Sequence, residues 1–189
     1  MKKLSKILTL VLCAALLVTA SVMGTLAYLT NTTETVTNTF TIGAVSITLD
    51  ETDVDLYGVP DGETRVTENS YKLIPGHTYK KDPMIHVAKG SEDCWVFMKL
   101  NNGLGTAADI TINDEWTLVE TLEDGLVYAF NTALKAEQST TALFDGFTFD
   151  GETDPAQYDG KTITLIGYAV QADGFDTPEE AWEAGFGSN

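Results

Sequence analysis

Cys94-Trp95-Val96-Phe97-Met98-Lys99-Leu100 is the stretch that decides the fold. Cys94, Val96, Met98 and Leu100 recur at every second position, and Trp95, Phe97 and Lys99 fill the alternate ones. Only an extended strand sorts such residues onto two faces, the first buried and the second carrying Lys99. Cys94 belongs to the inward set, which makes it a buried thiol.

Working outward, the same grammar repeats. Pro83–Val87 reads as the preceding strand, joined through Lys89-Gly90-Ser91. Leu73-Ile74-Pro75-Gly76 is a turn, because Pro presets φ at one central position and Gly supplies positive φ at the next. Glu115–Thr121 and Leu126–Phe130 flank Leu122-Glu123-Asp124-Gly125, whose Asp-Gly pair predicts an antiparallel hairpin. Thr141–Phe149 is a strand with a bulge at Gly146, and Thr162–Gln171 is a long β-prone strand. Upstream, Thr33–Leu49 is rich in β-branched residues, with Val45, Ile47 and Leu49 on one face. Asp50–Asn69 and Asp150–Asp159 are acidic and broken by Gly and Pro, so both are expected as loops. One helix is predicted at the end: Thr177-Pro178-Glu179-Glu180 is a capping box with Pro at the first helical position, and Gly185 is the stop. So short a helix needs tertiary support, so Trp182 or Phe186 should dock on the sheet. Eight or nine strands at about ten-residue spacing predict an all-β chain, a two-layer antiparallel β-sandwich with a short C-terminal helix. Jelly-roll and immunoglobulin-like connectivities share this pattern.

The first 27 residues follow a different logic. Lys2, Lys3 and Lys6 precede an uncharged, mostly apolar run, Ile7–Met23, closed by Gly24-Thr25-Leu26-Ala27. This is the layout of a secretory signal peptide with cleavage between Ala27 and Tyr28. An uncleaved anchor over Ile7–Leu29 is the competing reading, but Thr9, Thr19 and Ser21 dilute the run and no basic flank follows it. The expected organisation is a leader, 1–27, and a single sandwich domain, 28–189, that touches a membrane only through an uncleaved leader. The leader holds three of the 11 basic residues and none of the 28 acidic ones, so 28–189 carries 8 − 28 = −20, against −17 for the whole chain. Such a surface repels nucleic acid and favours solubility, and its self-repulsion opposes assembly at neutral pH and low salt. With 43% hydrophobic residues the chain is too apolar to be disordered. Cys13 lies in the leader, and Cys94 alone leaves no intramolecular disulfide after cleavage.

Catalytic patterns are absent. His77 and His86 lie outside any H-E-x-x-H, there is no G-x-S-x-G, and Asn101-Asn102-Gly103-Leu104-Gly105 lacks the Lys and helix of a phosphate loop. No catalytic residue, cofactor or metal site is therefore assigned. Two acidic clusters, Asp50, Glu51, Asp53, Asp55 and Asp150, Glu152, Asp154, Asp159, offer the oxygen ligands calcium takes, and the second is the calcium candidate. Neither matches the D-x-[DN]-x-[DN]-G spacing. Trp95, Trp116 and Trp182 suit a sugar groove or, more commonly, a packed core.

The end of the leader and the strand after it, Gly24-Thr25-Leu26-Ala27-Tyr28-Leu29-Thr30 and Asn38-Thr39-Phe40-Thr41-Ile42-Gly43-Ala44-Val45, resemble the TasA/camelysin family. The resemblance continues at Leu73-Ile74-Pro75-Gly76-His77-Thr78-Tyr79-Lys80-Lys81-Asp82, where that family has a Leu-x-Pro-Gly turn and a Lys-Asp strand opening. It implies a jelly-roll-like sandwich, a leader cut by a SipW-type signal peptidase, and residence at the cell surface or in a biofilm matrix. For TasA itself it implies assembly into fibres. Camelysin-like members are described as metallopeptidases, but His77 and His86 alone transfer no catalytic residue.

These readings converge on a secreted structural protein that self-associates by strand addition. Tyr28–Asn38 is Thr-rich and β-prone and carries only Glu34 as a charge, so Leu29, Thr33, Thr35, Val36 and Thr37 are the expected donor-strand residues. The alternatives are an extracellular module binding calcium or cell-wall sugar, and a camelysin-like metallopeptidase.

Overall fold

The computed structural model describes residues 44–187. The leader, the Ala27–Tyr28 cut and the donor-strand residues Leu29, Thr33, Thr35, Val36 and Thr37 lie outside the described residues. Among the described residues ten strands form three antiparallel sheets, and one helix follows them. The first sheet has the order β2 (Pro60–Val66), β1 (Ile47–Val54), β4 (Met84–Val87). The second runs β10 (Ile163–Gln171), β5 (Cys94–Asn102), β8 (Gly125–Phe130), β7 (Trp116–Leu122). The third, smaller sheet is β3 (Thr78–Lys80), β9 (Gly146–Phe149), β6 (Ala108–Asp109). The helix, α1, spans Pro178–Phe186. The chain is an all-β sandwich with a short C-terminal helix.

The alternation in β5 builds the main core. Cys94, Val96 and Met98 are fully buried and meet Ile85 and Val87 of β4, with Ile47 and Leu49 of β1 packed alongside. Sequestering these side chains supplies about 1.5–3 kcal/mol each. On the other face of β5, Phe97 is equally buried, because α1 lies over it: the rings of Phe97 and Trp182 are 5.1 Å apart. Thr177 caps the helix by accepting from the Glu180 N–H, with Pro178 in the first turn. The helix passes the predicted stop at Gly185 and ends one residue later, where the Gly187 N–H donates to Trp182 and Glu183 carbonyls. Gly185 serves packing instead, since a Cβ there would sit 2.7 Å from Val170 Cγ2.

A second cluster fills the third sheet, where Tyr79 stacks on Phe147 at 4.9 Å beside Phe149 and Leu104. The predicted turn precedes it: Gly76 has φ +73° and the His77 N–H reaches the Ile74 carbonyl at 3.1 Å. The Asp-Gly hairpin is present too, with Leu122 paired to Gly125.

Three expectations need correction, the first being that the strand expected over Thr141–Phe149 is confined to Gly146–Phe149. Asp50–Asn69 is not a loop: β1 continues to Val54 and turns back as β2, leaving only Asp55–Val59 as the tip. The acidic residues alternate in strand fashion and are neutralised on both faces, Glu51 inward by Lys81 and Asp50 outward by Arg65. Asp55 closes the tip by accepting from the Tyr57 and Val59 N–H groups at 2.8 and 3.0 Å. Gly146 is not a bulge either; it pairs in register with Lys80, and a Cβ there would fall 2.3 Å from the Tyr79 carbonyl oxygen. Close backbone approach, rather than an extra residue, requires this glycine.

Candidate assembly interface

β10 pairs along its whole length with β5, from Ile163 opposite Asn102 to Gln171 opposite Cys94. Among the described residues nothing pairs with its other edge. No residue of β10 is charged and none is proline. Ile163, Leu165 and Ala169 pack towards the main core, while Tyr168 packs against Trp182 and Phe186 of α1. Ile166 remains 42% exposed. A long, uncharged edge whose backbone groups are unpaired among the described residues is a template for another strand.

Beside this edge runs a groove of about 1030 Å³, lined on one side by Leu49 and Glu51 of β1 and on the other by Ile163 and Leu165. Tyr71 and Phe147 line it as well. Burial lifts the Tyr71 phenol well above its ordinary range, with Glu51 and Asp82 adding to the effect. Its hydroxyl donates to the Lys80 carbonyl at 3.1 Å, which makes it a structural donor rather than an acid. Among the groove residues, Lys81 and Glu51 form a buried ion pair, and the Asn69 side-chain amide donates to the same carboxylate at 2.9 Å.

The outer face of the first sheet carries a polar chain. Arg65 on β2 donates to Asp50 on β1 and to the Asp82 carbonyl, and Lys80 lies 3.4 Å from the Asp82 carboxylate. Burial pushes the Asp82 carboxyl up, yet the Thr52 N–H and hydroxyl, both at 2.8 Å, with Lys80 and Arg65, outweigh it and hold it below the usual carboxylate range. At the far end His86 sits between Asp50 Oδ1, 2.9 Å from Nε2, and Ser139 Oγ, 2.6 Å from Nδ1. Both ring nitrogens are thereby occupied. His77 lies elsewhere, its Nε2 2.8 Å from the Tyr57 carbonyl and its ring edge-on to Tyr79.

The calcium candidates do not converge on one point. Asp150 takes the Glu152 N–H at 3.0 Å and the Thr153 hydroxyl at 2.9 Å, and these bonds hold its carboxyl below the usual range. Asp154 caps the 3-10 turn Pro155–Tyr158 by accepting from Ala156, while Asp159 ends that turn. Among the described residues no group of three or more His, Cys, Asp or Glu is placed to hold a metal ion. Trp116 and Trp182 are each 5% exposed and pack in cores. Cys94 is buried, and burial with the nearby Asp93 pushes its thiol up to about 11. Among the described residues no helix is long and apolar enough to cross a membrane.

Sequence reasoning missed Lys81, Asn69 and Arg65 as members of clusters. The signal was the polar alternation Asp50-Glu51-Thr52-Asp53, which an extended strand splits between two faces. No protein-family model matches the chain, and neither a curated protein nor a solved structure matches it.

Proposed function

We propose that residues 28–189 form a secreted structural subunit that assembles by strand addition, with Tyr28–Asn38 of one copy laid along β10 of the next. The observation that carries this reading is the nine-residue uncharged edge of β10 beside the groove of Leu49 and Leu165. Backbone hydrogen bonds to the free edge supply affinity, and alternate side chains of the incoming strand enter the groove. Leu29 and Val36 are the apolar residues of the segment, and Glu34 is its single charge, so it adds little to the self-repulsion of the acidic surface. Export, cleavage by a SipW-type peptidase and residence in a surface or biofilm matrix are part of the same proposal, supported by the leader layout and by the resemblance to the TasA/camelysin family. A subunit of this kind needs no cofactor.

Sedimentation of Tyr28–Asn189 beside Thr39–Asn189, at low and at raised salt, tests the mechanism. The longer protein is expected to form large species that grow with salt, and the shorter one to stay monomeric. Equal assembly of the two removes the segment from the mechanism.

A further inference from the structure

We propose that the Lys81–Glu51–Asn69 cluster is an acyl-transfer site that joins Lys81 to Asn69 through an intramolecular isopeptide bond. The proposal stands independently of strand addition. Glu51 and Lys81 have side chains only 5% and 8% exposed, on β1 and just after β3. One carboxylate serves two partners: Lys81 Nζ donates to Oε2, and Asn69 Nδ2 donates to Oε1 at 2.9 Å. An amine and an amide are thus gathered on the two oxygens of one acid–base group, in a site largely withdrawn from water.

The orientation of the amide is also fixed. Asn69 Oδ1 accepts the Val54 N–H at 3.0 Å, while Nδ2 donates a second time, to the Thr52 carbonyl at 2.8 Å. Flipping the amide would set Oδ1 against two acceptors and Nδ2 against a donor, so the network fixes which atom is which. The carbonyl oxygen therefore points at a backbone donor suited to the negative charge of a tetrahedral intermediate. The nitrogen that must leave points at the carboxyl that protonates it.

The step balances without any co-reactant. Lys81 passes one proton to Glu51 Oε2, a transfer that removes two buried charges at once. The freed lone pair of Nζ attacks Asn69 Cγ, forming the new C–N bond, and the carbonyl π electrons move onto Oδ1. Glu51 relays protons from Nζ to Nδ2. The Cγ–Nδ2 bond then breaks, the carbonyl re-forms, and the departing nitrogen leaves as ammonium. Its exit is at hand, since Asn69, Glu51 and Lys81 all line the groove. The product ties the segment after β2 to the residue just after β3 in a chain that has no disulfide among its described residues.

Peptide mass mapping of the purified full chain decides the matter. Trypsin should release Val66–Lys72 joined to Lys81–Lys89 as one branched species, lighter than the two peptides together by one ammonia and uncut after Lys81. Glu51→Gln keeps the shape but removes the acid–base group, and it is expected to give the two linear peptides. Separate linear peptides of full mass from the unaltered protein overturn the proposal, and that measurement depends on no variant folding. A branched peptide from Glu51→Gln overturns the role given to the carboxylate.

Discussion

The outer strands β2 and β10 each end a sheet, yet they treat their free edges in opposite ways. β2 begins with Pro60, which has no N–H to offer, and continues through Asp61, Gly62 and Glu63, all exposed. Charge, proline and glycine are the devices by which sheets refuse further strands. β10 has neither charge nor proline: Thr164, Ile166 and Val170 are β-branched, and its one glycine, Gly167, faces Ile47 and Leu49 across the core. Among the described residues one edge is guarded and the other carries no such guard.

The sharpest way to break this contrast is to give β10 the guard that β2 has. Ile166→Lys places a charge on an exposed position of the edge, where a surface substitution changes stability by only about 0.5 kcal/mol. Assembly seen by sedimentation is expected to be lost, with an unchanged circular dichroism spectrum. Undiminished assembly would show that β10 is not the acceptor. The next effect is on the support of that edge. Trp182 of α1 covers Phe97 and Tyr168, so Trp182→Ala should cost about 3–5 kcal/mol in urea unfolding. A loss below about 1 kcal/mol would mean that the helix is not part of the cooperative fold.

The contrast also explains how far the sequence could be read. β5 was legible because its apolar residues recur at period two and β10 because its residues are β-prone, while the hairpin that carries β8 and the Pro75-Gly76 turn follow from backbone chemistry alone. β2 and the second half of β1 were hidden, because polar alternation looks like a loop until its partners are known. Arg65, Asp82 and Lys81 supply those partners from 13 to 30 residues away in the chain, as with Arg65 to Thr52 and Asp82 to Thr52, and no local pattern announces such pairing. The groove was illegible for the same reason, since β1 and β10 face each other across more than a hundred residues of sequence. What could be read of the proposed assembly was the composition of the proposed donor; the proposed acceptor edge needed the topology.

The smallest predicted effect concerns how β2 is held. Arg65 ties β2 to Asp50 and Asp82, so the guarded edge depends on carboxylates staying ionised. Asp82 has its folded-state value depressed, and a depressed carboxylate adds stability above its unfolded value that is lost as pH falls through the folded one. The first loss is therefore expected below about pH 4, where unfolded aspartates begin to take protons. Asp124 and Asp150 are shifted the same way, so the acid limb of the whole protein is shared among several groups. Asp82→Asn isolates one of them. It should lower stability by about 1–2 kcal/mol at pH 7 through the charge-assisted bonds from Thr52 and Arg65, and the difference from the unaltered protein should shrink as the pH falls from 5 to about 3. Urea midpoints measured across that range provide the check. A gap that stays constant with pH would mean that Asp82 contributes through shape and hydrogen bonding alone, and that β2 is held by its backbone pairing with β1 rather than by charge.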